Sequence, residues 1–333
     1  MRVENTAFVS SSLVNDLLNQ FLVVFQAVAQ IGLVVLFAGW LVRRQILPAS
    51  GVKLISDTVI TVFLPCLIFS HIVGGFYPAE FKGWWILPLS SAVLISIGWA
   101  ISFPLFSRTG EARRELMPAA FLQNAAYFIL PLGKIILPEQ FDEFARYVFL
   151  FILAHNPLLW LIGKHYFLKR GSGEPFHWKQ LLSPPIYANI IALTLVATGA
   201  RPYVPTFVVD TATFLGEGAV PLGTFALGAT LGTIHINFRR YLKVAGLVAF
   251  QKLFIMPLIV LGAMALVPWL RSSPVLILLF ILQGASPCAT SLILQSKSYS
   301  EDSERIGTII VICYIVCTFS IPLWVAISST LYP

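Results

Sequence analysis

Apolar runs constrain this chain more than any other feature. Stretches of Leu, Ile, Val, Phe and Ala recur from end to end, broken only by short turns rich in charge, proline or glycine. Of 333 residues, 57% are hydrophobic and 11% are charged. A soluble domain carries roughly 25% charged residues, so water cannot be the solvent for this surface. One crossing of ~30 Å of hydrocarbon takes ~20 mostly apolar residues. Ten runs meet that demand, at 21–42, 54–75, 84–106, 116–137, 143–168, 182–200, 210–234, 241–269, 274–296 and 306–331. Lipid leaves backbone polar groups no outside partner, so runs of this length become helices. The expectation is an all-α polytopic membrane protein with ten transmembrane helices.

The net charge of +7 does not form a basic stripe, and no pattern for reading bases is present, which excludes a nucleic-acid partner. Fifteen of the 22 Lys and Arg, Lys164 and Arg305 among them, fall in turns on one side of this layout, and five fall on the other. Basic residues collect on the cytoplasmic side. Both termini are therefore expected outside the cytoplasm, with the chain in the cell membrane. Residues 1–20, with Glu4, Asn15, Asp16 and Asn19, are too polar for a signal-peptide core and read as an extracytoplasmic segment. Cys66, Cys288, Cys313 and Cys317 lie inside apolar runs without a His or carboxylate to complete a ligand set, so they read as packing residues. No metal and no cofactor is expected.

Shifted by about 160 residues, the runs superimpose: 21–42 on 182–200, 84–106 on 241–269, 143–168 on 306–331. This divides the chain into a five-helix repeat at 21–168, a short cytoplasmic linker at 169–181 and a second repeat at 182–333. An odd number of crossings inverts the halves, as in secondary transporters. Phe121-Leu-Gln-Asn-Ala-Ala126 aligns with Ile281-Leu-Gln-Gly-Ala-Ser286, making Gln123 and Gln283 counterparts. Both segments then run into proline: Pro131 with Gly133 in the first, Pro287 after Gly284 in the second. Paired Pro/Gly interruptions at matching positions mark the midplane site of such folds. Broken helices there aim their N-terminal ends, carrying about half a positive charge each, at an anion. The expected substrate-binding residues are Gln123, Asn124, Tyr127, Pro131, Gln283, Gly284, Ser286 and Pro287.

Ionisable residues inside a membrane helix invite a functional reason. Lys134 lies near the first interruption, and reads either as a charge partner for substrate or as a lysine snorkelling at the helix end. Glu217 precedes Pro221 and reads either as a carboxylate held by the backbone groups that the proline frees or as a proton carrier or partner of a lysine such as Lys252. Lys252 falls ~16 Å into its run by helical rise. His155 is a candidate proton relay, although a lone buried His is more often a hydrogen-bonded packing residue.

Several stretches resemble the auxin efflux carrier family of plants, bacteria and fungi. They are Gly39-Trp-Leu-Val-Arg-Arg-Gln-Ile-Leu47, Phe63-Leu-Pro-Cys-Leu-Ile-Phe69, Asn124 to Pro131-Leu132, Ser183-Pro-Pro185 (serine where the family has asparagine), and Pro221-Leu-Gly-Thr-Phe-Ala-Leu-Gly-Ala229. Their order and spacing cover nearly the whole chain, which lacks the large central loop of plant members. The resemblance implies a fold with two crossing broken helices, like that of sodium/proton antiporters and bile-acid carriers. Helices 1, 2, 6 and 7 would form a scaffold, often a homodimer, and 3–5 and 8–10 a moving unit. It also implies a small organic anion as cargo, an auxin-like carboxylate or a dicarboxylate, moved by alternating access. A sodium- or proton-coupled carrier on the same fold is the near alternative, and neutral Gln123-Asn124 and Gln283-Gly284 argue against it. A membrane-embedded enzyme needs a nucleophile–base or metal set at the midplane, and none is evident.

Overall fold

The computed structural model describes residues 2–167, 182–299 and 303–332, and the expected linker at 169–181 lies outside them. Among the described residues the fold is all-helical. The helices are α1 (Arg2–Arg43), α2 (Ala49–Gly75), α3 (Ile86–Phe106), α4 (Arg113–Phe121), α5 (Ile129–Ile136) and α6 (Phe141–Phe167), then α7 (Pro184–Ala197), α8 (Thr206–Gly232, with a turn at 217–218), α9 (Phe238–Leu266), α10 (Pro274–Ala285), α11 (Ser291–Tyr299) and α12 (Ser303–Leu331). Seven of them, α1, α2, α3, α6, α8, α9 and α12, are long and apolar enough to cross a membrane, and α7 and α10 are shorter apolar helices. The runs at 116–137 and 274–296 are each two helices with an unwound stretch between, at 122–128 and 286–290.

Local sequence explains the starts and kinks. Ser273 caps α10 by accepting the Leu276 N–H at 3.2 Å, with Pro274 at the first position, where no N–H is needed. Asn237 caps α9 likewise, accepting from the Arg240 N–H at 3.2 Å. Two π turns interrupt otherwise regular helices at Val59–Phe63 and Gln251–Ile255. Each lies just before a proline, Pro65 or Pro257, whose ring has no N–H to give and crowds the carbonyl four residues back. The helix widens, so the Leu64 N–H reaches the Val59 carbonyl and the Met256 N–H that of Gln251. The Leu253 carbonyl, opposite Pro257, accepts the Trp324 indole N–H at 2.7 Å. A freed group in lipid thus finds a neighbour on α12.

Residues 2–20 continue α1 as helix instead of forming a separate segment. Polar residues are excluded from hydrocarbon but not from a helix. α1 packs on α8 and α12, and α2 on α7 and α8. α3 packs on α4 and α6, and α12 on α9, α10 and α11. The α1–α8 contact is backbone on backbone: a Cβ at Gly39 would stand 3.2 Å from the Gly228 carbonyl, and one at Gly228 would collide with the Val35 backbone. Small residues permit such approaches, which replace the hydrophobic drive that lipid removes.

Candidate functional site

The two unwound stretches cross, and each satisfies the other's backbone. Gln123 and Cys288 form an isolated antiparallel bridge. On either side of it the Asn124 N–H donates to the Pro287 carbonyl at 2.9 Å, and the Ala289 N–H to the Leu122 carbonyl at 3.0 Å. Side chains complete the repair. Ser286 Oγ donates to the Asn124 carbonyl at 2.8 Å, and Gln283 Nε2 to the Ala125 carbonyl at 2.9 Å. Unwinding a helix in lipid strands its N–H and carbonyl groups, which only protein, water or ligand can pair. Here most of the pairing is protein, so the crossing is rigid.

Against the first stretch lies a cavity of about 420 Å³. Gln123, Asn124 and Tyr127 line it from the crossing, with Thr290 and Ser291 at the N-terminal end of α11. α6 adds His155, Asn156, Trp160 and Lys164, and Ile60 and Leu64 of α2 make an apolar wall. Gln123 is 3% exposed, and its Nε2 donates to no protein acceptor. Asn124 Nδ2 donates to Tyr314 Oη of α12 at 2.6 Å, which fixes the amide's rotation. His155 is 1% exposed and stacked on Phe151; its Nδ1 lies 3.4 Å from Asn156 Oδ1, while Nε2 is unpartnered. Lys164, also buried, completes the lining from α6. Among the described residues, the lining contains no Asp or Glu. Unpartnered donors and a helix N-terminus together make the cavity attractive to an anion.

Of the residues expected to bind substrate, the structure brings Gln123, Asn124 and Tyr127 to this cavity, and His155 with them. The others take different positions. Gln283 lies in the last turn of α10 and turns its amide to backbone, and the bridge sets Gln123 opposite Cys288, so the two glutamines are not counterparts in space. Identity of letters at one offset does not fix where each helix unwinds. Ser286 and Pro287 buttress the first stretch through their oxygens. Gly284 is a packing position, since a Cβ there would stand 2.7 Å from Val260 Cγ2. Pro131 is in the first turn of α5, where N–H groups have no helical partner anyway, so it starts that helix and breaks nothing.

The charged candidates divide similarly. Lys134 is exposed at the end of α5, its ammonium 5.6 Å from the Phe141 ring, which matches the snorkelling reading. Glu217 is exposed at the turn within α8 and makes no ion pair with Lys252, which is 3% exposed on α9. Lys252 lies within electrostatic reach of the Cys288 and Cys313 thiols, themselves 3.4 Å apart, and of His155, but is not among the residues lining the cavity. Lys164 is the residue that sequence reasoning misplaced, as a turn cation. It falls nine residues, two and a half turns, after His155 on α6, so spacing from that residue gave no signal that both reach one cavity. Arg305, also read as a turn cation, is ion-paired with the buried Glu115 at 2.8 Å and joins α12 to α4.

No curated protein matches this sequence. The family model described as membrane transport protein does, over residues 23–325. Apolar spanning helices and a family match over nearly the whole chain lead to one conclusion: this is an integral membrane protein belonging to the membrane transport protein family, of the auxin efflux carrier type.

Proposed function

We propose that the chain is a secondary transporter that binds a small organic anion, an auxin-like carboxylate or a dicarboxylate, in the cavity beside the crossing and moves it by alternating access. The observation that carries this reading is the buried Gln123 Nε2, without a hydrogen-bond partner among the described residues, beside a cavity whose described lining has the α11 N-terminus and no acid. A cation would meet no carboxylate among the described lining residues, which weighs against sodium binding at this position. Gln123, Asn124 and Tyr127 are assigned to the substrate, and Gln283, Ser286 and Pro287 to holding the first stretch open.

The same proposal counts ten crossings as two inverted five-helix units, by taking α4 with α5 and α10 with α11 as one crossing each, with both termini outside. Part of the packing suits a scaffold of α1, α2, α7 and α8 beside a group of α3–α6 and α9–α12: α2 rests on α7 and α8, and α3 on α4 and α6, although α1 packs on α12 as well as on α8. Exposed Tyr187, Ile190 and Ile191 on α7 suit either lipid or a second copy in a homodimer.

Uptake into vesicles containing the purified protein tests the function. Labelled mono- and dicarboxylates would be offered with a membrane potential, a proton gradient or a sodium gradient as the sole driving force. Carboxylate uptake without sodium is expected. Uptake of no carboxylate under any gradient, or movement of a cation alone, would overturn the proposal.

A further inference from the structure

A second hollow shares no lining residue with the polar cavity. It is an apolar groove of about 750 Å³, walled by α1, α8 and α12. Its wall on α1 runs from Val28 to Arg43, ~22 Å at helical rise. One leaflet's share of the hydrocarbon is ~15 Å, so the groove is deep enough for a whole extended acyl chain. Among the described residues, Arg43 is the one charged side chain in the wall, and it stands at one end. It donates to the Ile234 carbonyl at 3.4 Å, in the turn that leads to the exposed Arg239 and Arg240. Arg44 is exposed beside it. An apolar channel with a cationic mouth matches an amphiphile with an anionic head, and guanidinium is the group suited to phosphate.

We infer that this groove binds one anionic phospholipid, an acyl chain lying along α1 and the phosphate at Arg43. The cytoplasmic leaflet, where the basic turns are expected, is the leaflet rich in anionic lipid. The occupant reaches the transport site through its inner wall. Phe128 and Tyr314 form that wall, edge to face with ring centres 5.4 Å apart, and Tyr314 is the residue holding the Asn124 amide. An acyl chain against these rings keeps Tyr314 in place, so lipid occupancy supports the geometry of the first unwound stretch.

Gly32 gives a direct handle, because it lies on the groove wall and a Cβ there meets nothing within 4 Å. Gly32→Leu therefore fills the groove without striking backbone. The full chain, purified in detergent and titrated with phosphatidylglycerol or phosphatidylcholine, would be weighed intact by native mass spectrometry. The unsubstituted protein should retain phosphatidylglycerol in preference to phosphatidylcholine. Arg43→Gln, at an exposed position where folding is not at risk, should hold phosphatidylglycerol about fivefold more weakly, the effect of one basic group at a membrane surface. Gly32→Leu should retain neither lipid. Equal retention of both lipids by the unsubstituted chain, or unchanged phosphatidylglycerol binding in both variants, would overturn the inference. So would a Gly32→Leu protein that loses a dimer while keeping its lipid, since the groove's occupant would then be a second copy.

Discussion

The two unwound stretches look alike in sequence and do different work. Residues 122–128 present Gln123, Asn124 and Tyr127 to the cavity, whereas 286–290 bring Ala289 and Thr290 to it and commit the Ser286 hydroxyl and the Pro287 carbonyl to the backbone of the first stretch. Gln283 behaves like the second group, with its amide on the Ala125 carbonyl. A crossing in lipid must satisfy every stranded backbone group before it can offer anything to a ligand. The backbones pair with each other, and the side chains divide the rest: Ser286 and Gln283 cap carbonyls of the first stretch, while the Gln123 side chain is left facing the cavity.

This division predicts a ranking of substitutions. The largest effect on transport is expected from Gln123→Ala and Asn124→Ala, each removing a donor to a charged ligand. A hydrogen bond to a charged group contributes about 1.5–3 kcal/mol, or roughly ten- to hundredfold in half-saturating anion concentration. Uptake by purified protein in vesicles measures it, with melting temperature as the control for folding. Gln283→Ala should instead lower stability by about 1–3 kcal/mol, because it leaves the buried Ala125 carbonyl unpaired. A thermal melt in detergent reads that loss directly. Should Gln283→Ala weaken the anion as much as Gln123→Ala while melting normally, the two stretches would be equivalent and the division wrong.

Ser286→Ala removes a neutral hydrogen bond to the Asn124 carbonyl, and about 0.5–1.5 kcal/mol of stability should go with it. Its effect on half-saturation should be smaller than that of Gln123→Ala, since the serine only positions. The smallest changes belong to Lys134→Ala and Glu217→Gln. Both positions are exposed, and stability should stay within about 0.5 kcal/mol, with uptake unaltered. Loss of uptake in either would return that charge to the transport path.

Much of this was legible from residue order. Apolar runs located the helices to within a few residues at most ends, and Pro and Gly singled out the two runs that unwind. The cavity was half legible: Gln123, Asn124, Tyr127 and His155 were expected, but Asn156, Trp160, Lys164 and Thr290 were not. Lys164 was misread because a cation near a helix end resembles every other turn cation. Its burial comes from the surfaces packed around α6, which no local pattern encodes. Tyr314, which holds Asn124 from 190 residues away, had no local signal at all.

Composition and hydropathy alone made this a helical membrane protein, because a chain with 11% charged residues has no other solvent. They also limited the irregular backbone to two runs, since proline and glycine are read locally. Which of those runs faces a ligand depended on packing. The bridge between Gln123 and Cys288 sets the register of the crossing, and that register assigns one glutamine to the cavity and the other to a carbonyl. Hydrogen bonds between segments 160 residues apart are a property of the folded chain, and letter matches along the sequence cannot supply them.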